Sequence, residues 1–108
     1  LFRVYFNRKK QYLTIHLEDV SPQTFHRQGG GRWGYFVETW INPHRGEFGT
    51  IHLVASRVRQ DVVAHELLHS WIAWLKARDV AVTSRNEERL VLIYDEMIRH
   101  FWKEYERQ

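Results

Sequence analysis

The chain contains no cysteine. Disulfide staples and thiolate zinc sites are therefore excluded, and redox chemistry leaves the compartment open. No apolar run approaches the length needed to cross a bilayer, and no signal-peptide pattern is visible. Membrane insertion is not expected, and a cytoplasmic location is. The first residue is Leu1 and not a methionine, which leaves room for residues upstream. Internal repeats and low-complexity tracts are also missing. Charge of one sign is not collected into blocks: 16 Lys and Arg against 13 Asp and Glu leave a net +3 that is spread along the chain. Such an excess reads as solvated surface, so nucleic acid is not the expected partner. What is present suits one folded domain, residues 1–108. Hydrophobic residues make up 44%, with five Trp, six Phe and five Tyr, enough for a core and against disorder.

The periodicities predict strands first and helices after. "FRVYF" (2–6) and "QYLTIHL" (11–17) read as strands joined by a polar turn. Residues 18–34, with Pro22 and a glycine cluster, read as loop. "YFVETWI" (35–41) and "TIHLVA" (50–55) read as further strands, with a turn between them. Ser56 is the expected N-cap of a helix from about 58 to 78. Ala64, Leu68, Trp71 and Leu75 recur at helical spacing there, and Val63, Leu67 and Trp74 extend apolarity round the cylinder, as for a helix buried on most sides. A second helix, 85–106, carries Leu90, Val91, Tyr94, Met97, Ile98, Phe101 and Tyr105 on one face. The order predicts an α+β domain: a small, mostly antiparallel sheet of three or four strands with two long helices on one face.

Within the first helix stands "HELLH" (65–69). Residues four apart project from nearly the same face, so His65 and His69 point together and can bind one tetrahedral Zn²⁺. Glu66 sits one step round, able to reach a zinc-bound water as general base without occupying a coordination position. In so apolar a run, two unpaired imidazoles would be expensive if buried, which favours a metal over a structural histidine pair.

A catalytic zinc needs three protein ligands and an open position. In "NEERL" (86–90), Glu87 is in phase with the inward residues of the second helix and is the first candidate. Ser84 and Glu87 also fit a capping box, in which case Glu88 becomes the alternative. His100 and His52 are further candidates. H-E-x-x-H followed by a glutamate on the next helix resembles the gluzincin branch of zincin metallopeptidases, in its compact single-domain forms, including those encoded by phages and mobile elements. The resemblance covers about 50–98. It implies a zincin-like fold, a zinc cofactor held by His65, His69 and Glu87, a peptide or protein substrate, and hydrolysis with Glu66 as base. It also implies a substrate-binding strand before the helix, a place taken by "TIHLV" (50–54), and an oxyanion stabiliser, for which Tyr94 is the candidate. The third histidine required by the SprT-like group is missing.

Other signals are weaker. "GGGRWG" (29–34) fits a dinucleotide pattern but precedes a strand, where that site needs a helix, so it reads as a flexible loop and a candidate active-site flap. The tryptophans read as core or rim packing in preference to stacking platforms. His16, His26 and His44 lack ligand-spaced partners. The alternative to an enzyme is a zincin-fold binding module for protein or nucleic acid, with a zinc that is structural or does not turn over.

Overall fold

A computed structural model describes residues 1–6, 11–27, 33–39 and 46–108. It is α+β, as the order of periodicities predicts. Strands β1 (Phe2–Phe6) and β2 (Gln11–Glu18) are followed by a short helix α1 (Pro22–Arg27). Strands β3 (Gly34–Glu38) and β4 (Gly46–Val54) come next, then one 3₁₀ turn and the long helices α2 (Gln60–Ala77) and α3 (Glu87–Tyr105). The sheet order is β1-β2-β4-β3. β1–β2 and β3–β4 pair antiparallel, whereas β2–β4 is parallel. The sheet is thus mostly antiparallel with a parallel seam at its centre.

Alternation along the strands sorts the two faces. Val4, Leu13, Ile15, Ile51 and Leu53 are fully buried and point towards the helices. From above, α2 supplies Val63, Leu67, Trp71 and Leu75, and α3 supplies Met97 and Phe101. Full burial of such a side chain is worth about 1.5–3 kcal/mol, so this one layer accounts for the fold. Where β4 passes β2 the register slips between Tyr12 and Leu13, so Phe48 is the extra residue of a bulge. Phe48 turns inward against Phe6 and Phe36. Its neighbour Gly49 has room for no side chain: a Cβ there would lie 2.5 Å from the Phe36 ring.

Several local expectations are corrected. The 18–34 segment is not all loop: it holds α1, whose Phe25 is buried and packs on Tyr35. Ser56 lies in the 3₁₀ turn, and Arg59 occupies the N-cap of α2 with no side-chain cap bond. The capping box at Ser84 does not form either. Asn86 is the N-cap of α3, and its side chain closes the preceding turn, accepting from Thr83 N–H and donating to Ala81 C=O. Nor is α2 buried on most sides: Leu68 and Ile72 are exposed. Its contact face runs through Val63, Leu67, Ser70, Trp71 and Leu75, rotated from the stripe read through Ala64 and Leu68. Trp40, His44 and residues 28–32 of the glycine loop lie outside the described residues.

The two sheet edges are treated differently. α3 lies along β1, and His100 Nδ1 accepts the Tyr5 backbone N–H at 3.0 Å, satisfying a main-chain donor on that strand. On the other side β3 is the edge strand, and among the described residues no strand pairs with its outer side. At the far end of α2 a fully buried Gln11 holds helix to sheet: its Oε1 accepts from Trp74 Nε1 at 2.8 Å and from Arg78 at 2.7 Å. Gln11→Leu nearly conserves volume but removes that acceptor from two donors. It is expected to cost about 1–3 kcal/mol in urea unfolding; an unchanged midpoint would mean that both donors find other acceptors.

Candidate metal centre

The rotation of α2 decides what its motif can do. With Val63, Leu67 and Trp71 against the sheet, Glu66 falls on the flank that meets β3. His65 and His69, further round the cylinder, are exposed. This reverses the sequence argument about burial cost. The imidazoles are exposed and lie within hydrogen-bonding distance of each other; the group taken out of water is the Glu66 carboxylate, on a residue only 7% exposed. Burial pushes its pKa up, and the two imidazoles partly oppose that shift.

His65 Nε2 and His69 Nε2 are 3.1 Å apart, with the rings nearly perpendicular. Two nitrogens on one tetrahedral zinc, each about 2.0–2.1 Å from it, stand roughly 3.3 Å from one another. The pair is therefore spaced for a shared ion with almost no movement, and the neutral imidazole nitrogen is a donor type zinc accepts. Two ligands do not complete a site. Glu87 was expected to look inward, yet it is exposed in the first turn of α3, as is Glu88, and neither lines the cleft described below. The phase argument fails because the buried centre of α3 lies at Met97 and Phe101, which leaves Glu87 on a flank. Among the described residues no third His, Asp or Glu joins the pair in a group that could hold a metal.

The three motif residues share a cleft of about 770 Å³ between β3 and α2. Trp33 and the strand residues Gly34, Tyr35, Phe36 and Glu38 form one wall, and the helix adds Asp61, Val62, Ile72, Ala73 and Lys76 to the motif residues. Gly34 makes this approach feasible. A Cβ on it would lie 3.0 Å from Glu66 Cγ and 2.9 Å from Leu53 Cδ2. Trp33 carries the guanidinium groups of Arg57 and Arg59 over its ring at 5.7 and 5.3 Å. Sequence reasoning missed the cleft's strand wall, because β3 and α2 are joined only through β4 and nothing in the local pattern announces their meeting. The one available signal was Gly34, a glycine at the head of a strand.

Two further expectations are corrected by position. "TIHLV" belongs to β4, which is hydrogen-bonded on both sides by β2 and β3 and cannot accept another strand. The Tyr94 hydroxyl is not at the cleft but donates to the Ala64 carbonyl oxygen at 2.6 Å. On the opposite sheet face His16, His52 and Tyr35 form a ladder across three strands, with centroids 4.6 and 4.5 Å apart. His52 Nδ1 meets Glu18 at 2.8 Å, and its Nε2 meets Thr50 Oγ1 at 3.1 Å. Burial and the neighbouring His52 lower the His16 pKa. The three rings stack on one another. Trp71 is core, Trp74 is half-buried beside it, and Trp102 packs on Phe101 and Tyr105.

Compared with known proteins, the chain matches no family model, no curated protein and no solved structure. No helix among the described residues is long and apolar enough to cross a membrane.

A raised carboxylate pKa has a signed consequence. The folded chain holds the Glu66 proton to higher pH than the unfolded chain does. Stability from this group is therefore complete below the ordinary carboxylate range and is lost as pH rises through the folded pKa. In metal-free protein Glu66→Gln is expected to melt above the wild type at neutral pH, the gap closing in acid. Parallel melting curves across that range would show that the carboxylate is effectively solvated. Gly34→Ala is expected to cost about 1–3 kcal/mol by overpacking and to displace Glu66, both readable from thermal melts and the Glu66 carboxyl resonance.

Proposed function

We propose that this chain is a zinc-dependent peptidase of the minimal gluzincin type, acting on peptide or protein substrates. The observation that carries the reading is the Glu66 carboxylate, buried in a cleft wall beside two imidazoles spaced for one tetrahedral ion. A structural histidine pair has no need of a desolvated acid at that place. When bound, zinc supplies a Lewis acid and a water of lowered pKa. His65 and His69 would hold it. The resemblance gives Glu87 as the third ligand, with Glu88 the alternative; both stand outside the cleft, so either would have to be brought to the histidine pair.

The chain's own groups do the rest. Glu66 removes a proton from the attacking water and returns it to the leaving amine, and its burial brings its proton affinity towards the value a general base needs near neutral pH. The outer edge of β3 offers main-chain donors and acceptors along the cleft, which suits an extended peptide taken on as an added strand. Phe36 and Val62, both partly buried, line the cleft with the base and strengthen its electrostatics.

Elemental analysis with casein cleavage tests the reading. One zinc per chain is expected in wild type and in Glu66→Gln, and none in His65→Ala. Cleavage should fall by about 10²- to 10⁴-fold in Glu66→Gln, the usual yield of general base catalysis. Loss of zinc in only one of Glu87→Ala and Glu88→Ala would name the third ligand. A wild type that takes up no zinc even on reconstitution overturns the proposal. Zinc without cleavage would favour a binding module in its place.

A further inference from the structure

Tyr94 stands on α3, half-buried, and its hydroxyl reaches the backbone of α2 at Ala64. Ala64 immediately precedes His65. Its carbonyl already accepts the Leu68 N–H within the helix, so the phenol is a second donor on the same oxygen. Among the described residues no other hydrogen bond joins α2 to α3. Apolar packing holds the helices on the sheet side of the tie, where Val63, Leu67 and Met97 are buried in one core, but not on its outer side. Leu68 and Val91, each about one turn from the tie, are 44% and 47% exposed. The 2.6 Å bond ends on the turn that carries the two imidazoles and Glu66.

We infer that Tyr94 is a positioning residue for the metal centre. It acts through the α2 backbone and sets where the His65 imidazole stands relative to His69 and Glu66. The inference rests on the peptidase reading for its consequence, but its physical content, a tie that places His65, is independent of it. It also gives the hydroxyl a role different from oxyanion stabilisation, since the proton it would donate is already given to Ala64.

Tyr94→Phe tests it, with two kinds of readout. In metal-free protein the His65 ring nitrogen and Leu68 amide resonances are expected to move, with far-UV circular dichroism unchanged. In the Co²⁺-loaded protein the visible ligand-field bands should shift, zinc affinity should fall by about tenfold, the lower range for groups that orient a metal ligand, and kcat should fall at nearly constant KM. A variant with wild-type resonances, bands, affinity and kcat overturns the inference. If the wild type binds no metal, the peptidase reading fails on its own, and the resonances alone decide whether Tyr94 places His65. Should Tyr94→Phe not fold, difluorotyrosine at position 94 strengthens the donor while keeping the ring. It must then move the same resonances, and unmoved resonances would again overturn the inference.

Discussion

The rotation of α2 about its own axis is the constraint on which the rest depends. It is fixed by one apolar contact, Val63, Leu67, Trp71 and Leu75 laid on the sheet, and pinned at the far end by the buried Gln11. Each residue of a helix is turned about 100° from the last, so once that face is down every other residue has its address. Glu66 must meet β3, His65 and His69 must face the cleft, and Ala64 must face α3. The hydrophobic contact thus decides which way each motif residue faces.

Much of this was legible in the sequence, for a physical reason in each case. Strand β1 and the helices α2 and α3 announced themselves by period, because one face of each is buried and the other is not. Both helices lie within two residues of the expected bounds. The pairing of His65 with His69 followed from helical geometry alone. What failed were statements about depth and neighbourhood. Leu68 read as core and is exposed, whereas the burial of Glu66 beside β3 could not be read from the helix alone. Apolar residues surround α2, so hydrophobicity by itself could not say which stripe faces inward. The parallel seam β2–β4 was also invisible, because pairing partners are set by where the chain returns and not by local composition. The family resemblance put the substrate strand at residues 50–54, which lie inside the sheet as β4, whereas β3 is an edge strand.

The cleft joins two kinds of order. Its helical wall is rigid and its polar atoms are held by geometry; its strand wall is an edge, with main-chain groups facing outward along residues 34–38. Gly34 is the hinge between these facts, since only a residue without a side chain lets the strand approach the helix closely enough to take Glu66 out of water. On the reverse of the sheet the ladder of His16, His52 and Tyr35 holds β3 to its neighbours by stacking. One strand therefore carries the site on one face and its own attachment on the other.

The parallel seam bears on how the molecule comes into being. β2 ends at Glu18 and its central partner β4 begins only at Gly46, so the middle of the sheet closes by a contact distant in sequence. Contacts of this kind form late and slow folding, because loop-closure entropy is paid before the strands reward it. β3 is synthesised before β4 yet has no neighbour in the sheet until β4 arrives. Both walls of the cleft thus come together only after the whole stretch through α2 has left the ribosome. A nascent or partly unfolded chain carries the motif residues without the cleft, so whatever chemistry the site performs is withheld until the non-local half of the topology has closed.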